Sequence, residues 1–329
     1  MIEILTTGYL NSVQDLGREG LLHLGVSRGG AMDPLALKIG NHMVGNDLGC
    51  AGIEVALFPF RLRFHRDTAF AVTGAICESS LDGVTLPPWW AIRASAGQTL
   101  SVSAPTSGSR AYVCVAGGID VPQVLGSRST DQKAGFGGRD GRGLSRGDRF
   151  DLHGTEIHVP QHANGFGVWP HLLAEDGDDG DTLSLRVLPA AEFSDFDAAS
   201  QARFYDGRWT ITAETNRIGC RLTGEALSLR QKRELFSHGI LPGVVQVPPS
   251  GLPIVQMADA NTCGGYPKIA NIIGPDIRRL AQATSGTHIR FVETTVEQAL
   301  SRIAEERASF TECLDAMSRA FGLPTAQRG

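Results

Sequence analysis

Hydrophobic and polar positions alternate with a period of two over many short runs, the pattern of half-buried strands. Residues 2–5, 53–57, 62–64, 70–74, 90–93, 100–102 and 110–115 read this way, with turn residues between them. Asp82-Gly83 between Leu81 and Val84 is a hairpin signal. Further strands are predicted at 183–188, 209–213, 244–247 and 252–257. Helical phasing is confined to a few stretches. Asp33-Pro34 opens one, with aspartate as cap and proline in the first turn; Leu35, Ile39, His42 and Met43 form its apolar face and Gly45-Asn46 stops it. His42 on that face reads as a packed histidine. Residues 193–204 predict a short helix, and 296–321 a long one with Leu300, Ile303, Phe310, Leu314 and Met317 in phase and Glu305, Glu306 and Arg307 on a solvated face. So many short strands with so few helices predict a mainly β fold of barrels or sandwiches, not a doubly wound sheet.

Length and composition refine this picture. At 329 residues the chain is long for one core, and two domains are expected: 1–152 and 183–329, joined by a linker at 153–182. A hydrophobic share of 42% and a charged share of 20% suit a globular chain, and a net charge of −5 argues against nucleic acid as a partner. The cysteines, at 50, 77, 114, 220, 263 and 313, form no Cys-x-x-Cys pair, which suggests reduced thiols in a cytoplasmic protein. The amino terminus lacks the pattern of a signal peptide, and no apolar run reaches membrane-spanning length.

Several stretches invite chemical readings that the spacing does not sustain. His153, His158, His162 and His171 lack zinc-site spacing, so no metal is expected. The acidic run 175–181 lacks the closing glutamate of a calcium loop. The glycine-rich segment 135–143 lacks the Gly-Lys-Ser/Thr of a phosphate loop; it reads as a loop exposing Arg139 and Arg142.

The densest special chemistry lies between 243 and 273. Val244-Val245-Gln246-Val247 is a strand that Pro248-Pro249 ends, and after the returning strand come Asp259, Asn261, Thr262, Cys263, Gly264, Gly265, Tyr266 and Lys268. Paired glycines let backbone N–H groups approach an anion, and Lys268 would set a positive charge beside it. A tight turn with a surface lysine is the other reading. Near the amino terminus, Gln14, Arg18 and Arg28 either brace a loop or face a partner or a carboxylate substrate.

These residues also carry a family resemblance. Gln246-Val-Pro-Pro-Ser-Gly, Ala258-Asp259 and Thr262-Cys-Gly-Gly-Tyr-Pro-Lys-Ile resemble the family of allophanate hydrolase subunit 2 and the C component of 5-oxoprolinase, also called KipA-type or biotin-dependent carboxyltransferase. So do Ser12-Val-Gln-Asp-Leu-Gly-Arg, Gly30-Ala-Met-Asp-Pro, Gly117-Gly-Ile-Asp, Leu125-Gly-Ser-Arg-Ser-Thr, Ala134-Gly-Phe-Gly-Gly and Asn216-Arg-Ile-Gly. The resemblance implies two β-barrel domains, the second cyclophilin-like, and half of an enzyme unit completed by an allophanate hydrolase subunit 1 (KipI-like) partner. Two reactions are implied: ATP-dependent opening of 5-oxoproline to glutamate with a 5-oxoprolinase A-like subunit, or carboxyl transfer from carboxybiotin to urea with a biotin carboxylase. Lys268, Arg217 and the Gly264-Gly265 backbone would then hold an anionic oxygen. Asp259 would hold a substrate nitrogen or relay a proton, Gln246 would orient the amide, and Tyr266 would wall the pocket or donate its hydroxyl; Asn216 lies in the same set. No cofactor is expected to be covalently bound, because no biotinylation motif or Walker A is present; ATP or carboxybiotin would come from another protein. No Gly-x-Ser-x-Gly elbow is present either. His238 stands where the family usually has an acid, and Ala260-Asn261 where it usually has Arg-Gln. Those departures suit a regulatory protein that only binds the KipI-like partner; prolyl isomerisation has only the barrel analogy behind it.

Overall fold

The computed structural model describes residues 1–154, 156–160, 164–168, 182–231 and 234–325. The chain is mainly β and divides into two compact units: Met1–Arg18 with Gly29–Ala174 and Ala308–Gly329, and Glu19–Arg28 with Glu175–Arg307. Much of the expected linker, residues 155, 161–163 and 169–181, lies outside the described residues. His162, His171 and the acidic run lie outside the described residues. No helix among the described residues is long and apolar enough to cross a membrane.

In the first unit eleven strands form one sheet, whose main path runs from Phe166–Gly167 at one edge to Ile119–Asp120 at the other. The long strands Thr68–Leu81 and Thr99–Val115 pair along most of their length and bend at register shifts between Gly74 and Ser79. Alternation on Thr99–Val115 sorts its side chains between two cores. Leu100, Val102, Ala111, Val113 and Val115 join Ile53, Phe60, Leu62, Phe70 and Phe150 in one cluster. Tyr112 and Cys114 face the other way, against helix α1 (Pro34–Met43) and against Leu314 and Met317. Asp33 caps α1 through Ala36 N–H (3.1 Å), as its sequence predicts. Glu54 accepts from Tyr112 Oη and Met32 N, each at 2.8 Å, while Asp33 N–H donates to Tyr112 Oη at 2.7 Å. The Gly30-Ala-Met-Asp-Pro motif is therefore held by a buried polar network, and burial pushes the Tyr112 hydroxyl well above its ordinary pKa.

His42 is buried, with Nε2 3.1 Å from the Leu314 carbonyl and 3.1 Å from Ser318 Oγ. Desolvation lowers its pKa from 6.5, outweighing the Leu314 carbonyl. The unfolded chain therefore binds the proton more readily, so stability is full above about pH 6.5 and declines as pH falls through the folded value. Urea midpoints measured from pH 8 to 5 are expected to show this decline, and to show less of it in His42→Asn.

The second unit is built on a closed seven-stranded barrel, in ring order Thr182–Pro189, Lys268–Ile272, Val244–Gln246, Ile254–Gln256, Gly219–Thr223, Trp209–Ile211 and His288–Glu293. Parallel pairing of the first and last strands closes the ring. Register places Leu185, Val187, Phe291, Ile272, Ala270, Val245 and Val255 on one apolar face. The expected helix at 193–204 is instead a 3-10 turn, Phe193–Asp195, followed by helix α2 (Ala198–Asp206). Asp197 is the reason: it caps α2 through Ser200 N–H at 2.7 Å, so the chain must be extended just before it. Phe204 on α2 stacks on Phe291 (4.4 Å between centroids), and helix α3 (Gly274–Gln282) is tied to the barrel by Asp276, which accepts from Arg186 Nε (2.9 Å) and Nη2 (2.5 Å). Helix α4 (Val296–Phe321) has the predicted bounds. Its Glu306 is not merely solvated, since Arg278 Nε lies 2.5 Å from Oε1.

Candidate functional site

A one-residue irregularity creates the site. Val245 pairs with Ala270, but Gln246 pairs with Lys268, so Ile269 is an extra residue on its strand. Strict alternation would give Lys268 the orientation of Ala270 and Ile272, into the apolar face of the barrel. The bulge instead sets it beside Gln246 on the opposite face, and the Ile269 carbonyl accepts from Ala190 N–H at 3.0 Å. Gln246 is only 4% exposed. Its Oε1 accepts from Gln256 Nε2 at 3.1 Å, which fixes the amide orientation and leaves Nε2 with a long 3.4 Å contact to the Tyr266 carbonyl.

Lys268 is 6% exposed, and its Nζ has no hydrogen-bond partner among the described residues. Desolvation holds its pKa below 10.5, with the Glu192 carboxylate pulling the other way. A buried ammonium with unused donors is costly, and such a group can bind an anion. Glu192, which no sequence pattern singled out, stands next to it. One carboxylate oxygen accepts from the Lys268 backbone N–H at 3.0 Å, and the other lies 3.3 Å from His238 Nε2, an ion-pair distance without hydrogen-bond alignment. His238 Nδ1 lies 3.0 Å from the Phe236 carbonyl. The strand of His238 pairs with Cys263–Gly264, so this small two-stranded flap carries both the histidine and the first of the paired glycines.

Gly264 has little room for a side chain: a Cβ there would lie 2.7 Å from Ile240 Cδ1 and 3.2 Å from Gln246 Nε2. Both are ends of flexible side chains, so Gly264→Ala is expected to fold while displacing the Gln246 amide. Steady-state kinetics of the variant should show kcat/KM reduced by about tenfold or more. At Gly265 a Cβ would lie 2.8 Å from the Leu235 backbone carbonyl. Tyr266 is 48% exposed and contributes its carbonyl to Gln246.

Arg217 and Asp259 form a buried two-pronged pair: Nε donates to Oδ2 at 2.7 Å and Nη2 to Oδ1 at 2.9 Å. Asp259 N–H also donates to the Arg217 carbonyl at 2.9 Å. Asn216 Oδ1 accepts from Ile218 N and Gly219 N (2.8 and 3.2 Å), a side-chain-closed turn leading into barrel strand Gly219–Thr223. These three residues fix the loops that enter and leave the site. Both Asp259 oxygens are held by Arg217.

Gln14 and Arg18 belong to the first unit. Gln14 Nε2 donates to Ser12 Oγ (2.9 Å) and the Thr130 carbonyl (3.2 Å). Arg18, 1% exposed, donates to the Val124 and Ser129 carbonyls (3.1 and 2.6 Å) and stacks on Phe136 at 4.6 Å. Asp15 accepts from Ser127 Oγ, Arg128 N–H and Ser129 Oγ. Three of the sequence motifs thereby meet in one braced loop cluster. Arg28 belongs to the second unit and pairs on the surface with Glu19 at 3.1 Å. In the glycine-rich segment, Arg142 is bound by both Asp148 oxygens (2.8 and 2.7 Å). Among the described residues no group of three His, Cys, Asp or Glu could hold a metal.

The fold and site define a β-barrel protein that buries a lysine and a carboxamide on paired strands. The chain belongs to the carboxyltransferase-domain family, subdomains A and B, which it matches over residues 24–293. It is 42% identical to the C component of 5-oxoprolinase from Escherichia coli over 314 residues, 95% of this chain and 97% of that protein. To the Haemophilus influenzae protein of the same name it is 41% identical, over 91% of this chain and 93% of that one. Urea amidolyase of Saccharomyces cerevisiae is 29% identical over 91% of this chain, which spans 17% of that protein. The crystal structure of Kluyveromyces lactis urea carboxylase superposes with a TM-score of 0.86 at 27% identity, covering 95% of this chain and 29% of the other.

Proposed function

We propose that the chain is the C component of a cytoplasmic, ATP-dependent 5-oxoprolinase, acting with a KipI-like partner and an A-like subunit to open 5-oxoproline to glutamate. The observation that carries this reading is the buried Lys268 ammonium, without a hydrogen-bond partner among the described residues and on the strand position paired with Gln246, in a chain 42% identical to a 5-oxoprolinase C component over nearly its whole length. Water adds to the lactam carbonyl, the ring C–N bond breaks, and the nitrogen leaves as the glutamate amine. Negative charge develops on the carbonyl oxygen as water adds, and a fixed donor in a dry site stabilises it most. Lys268 Nζ is that donor, and Gln246 Nε2 binds the substrate amide. Arg217, Asp259 and Asn216 hold the surrounding loops. The site fits a carboxylate or amide oxygen. ATP, bound on another subunit, supplies the activation of the lactam.

A second reading, carboxyl transfer to urea or a urea-like acceptor, is favoured by the likeness to urea amidolyase and urea carboxylase. The residues fit it as well, because a carboxylated ureide presents the same anionic oxygens to Lys268. Co-expression with the KipI-like partner, addition of the A-like subunit and an assay of ATP-dependent glutamate release separate the readings. Glutamate formed only with all components supports 5-oxoprolinase. A stable complex inert to 5-oxoproline but active with urea and a biotin carboxylase would replace that reading. A complex inert to both would leave the regulatory role.

A further inference from the structure

The geometry points to Glu192 as the positioning residue for Lys268: one carboxylate oxygen holds the Lys268 backbone N–H and the other faces His238, so a single side chain joins the bulged barrel strand to the flap. This rests on Lys268 being the working cation of the proposed reaction. Three observations carry it. Glu192 is mostly buried, with 12% of its side chain exposed, in a chain whose surface carboxylates have no shortage of water. It begins the 3-10 turn Phe193–Asp195, immediately after barrel strand Thr182–Pro189 and the Ala190 N–H that binds the extra residue Ile269. The carboxylate therefore sits on the same short connection that secures the bulge. Finally, its two oxygens are divided between two elements: 3.0 Å to Lys268 N and 3.3 Å to His238 Nε2.

This arrangement sets both where Lys268 lies and how its charge is balanced. The hydrogen bond to the backbone fixes the Cα from which the side chain extends. The negative charge offsets part of the desolvation that disfavours the ammonium. The charged group acting on Lys268 is Glu192, from the connection after the first barrel strand, and His238 on the flap stands 3.3 Å from that carboxylate. His238 also acquires a place that its departure from the family's usual acid had obscured: its Nε2 stands 3.3 Å from the second Glu192 oxygen, the one that does not accept from Lys268 N–H.

Glu192→Gln separates the two functions, because the amide keeps an acceptor for Lys268 N–H but loses the charge. In the reconstituted complex its kcat is expected to fall by about tenfold with KM changed less than about threefold, since the lysine acts on charge that develops in the transition state. The alkaline limb of its kcat/KM profile should move to lower pH. Glu192→Ala should lose about 100-fold, and Glu192→Asp should recover part of that. A readout independent of turnover is available because lysines are few, at 38, 133, 232 and 268. In full-length chain labelled with 13Cε-lysine, the Lys268 signal, assigned by its loss in Lys268→Arg, is titrated by NMR. A midpoint moved to lower pH in Glu192→Gln supports the proposal, even if wild-type complex is inert to 5-oxoproline; that combination would sink the 5-oxoprolinase reading alone. An unmoved midpoint, whether kinetics are unchanged or activity drops together with melting temperature, overturns it. Should Glu192→Gln fail to fold, the same titration on Glu192→Asp decides, because its shorter reach must also disturb the Lys268 midpoint.

Discussion

Lys268→Met should reduce turnover of the assembled complex by 10²- to 10³-fold, roughly the loss seen when a fixed oxyanion donor is removed, while leaving assembly intact. The same change should make the chain more stable by about 1–2 kcal/mol, because a buried ammonium without a hydrogen-bond partner among the described residues is replaced by an apolar side chain of similar length. Opposite signs in activity and stability are the signature of a residue kept for chemistry. The pH dependence follows from the same burial. Because the folded chain binds the Lys268 proton less tightly than the unfolded one, stability rises with pH through the interval below 10.5, and Lys268→Met should remove that rise. Catalysis that needs the ammonium should fall over the same interval. Coupled enzyme assays and urea denaturation on one set of samples test both halves, and a variant that is both inactive and destabilised would count against the site.

Asp259→Ala is expected to have the largest effect on stability. It would leave the Arg217 guanidinium buried without its two-pronged partner, and breaking such a pair costs about 3–5 kcal/mol. The double variant Arg217→Met, Asp259→Ala should recover much of that loss, because no uncompensated charge remains. Denaturant midpoints of the two single variants and the double variant form a cycle that measures the coupling. The double variant should remain poorly active even where stability is regained, because the loop following barrel strand Ile254–Gln256 is no longer fixed by the Arg217 guanidinium on the Asp259 carboxylate. Equal recovery of activity and stability would show that the pair matters to folding alone.

Much of this could be read from the chain, where local rules operate. Helix α4 runs over the residues its apolar spacing predicts, α1 begins at its aspartate and proline, and the Asp82-Gly83 hairpin turns with both residues at positive φ. Gln246 and Lys268 were visible as chemistry, but their meeting was not. It depends on one extra residue at Ile269, and a bulge leaves no mark in a buried run such as Lys268–Ile272. Glu192 was invisible for a related reason, since it lies far along the chain from Lys268 and belongs to no motif. Arg217 and Asp259 were each noticed for charge, yet nothing local says that they are partners. The helix expected at 193–204 misses Asp197, whose cap on Ser200 N–H was a signal present in the sequence. The braced cluster around Arg18 shows the converse, where motifs that look like surface chemistry are bound into loop architecture.

The interleaving of the two units bears on how the chain can be made. On a ribosome the first unit begins at Met1, is interrupted at Glu19, resumes at Gly29, and is completed only when Ala308–Gly329 emerges. Until then the sheet face carrying Ala69, Ala71, Tyr112 and Cys114 lacks Leu314 and Met317, which belong to its core. The barrel unit is synthesised during that wait. Vectorial folding one unit at a time is thus denied to this chain: a nascent first unit stays incomplete through the synthesis of more than a hundred residues, with apolar surface for a chaperone to hold.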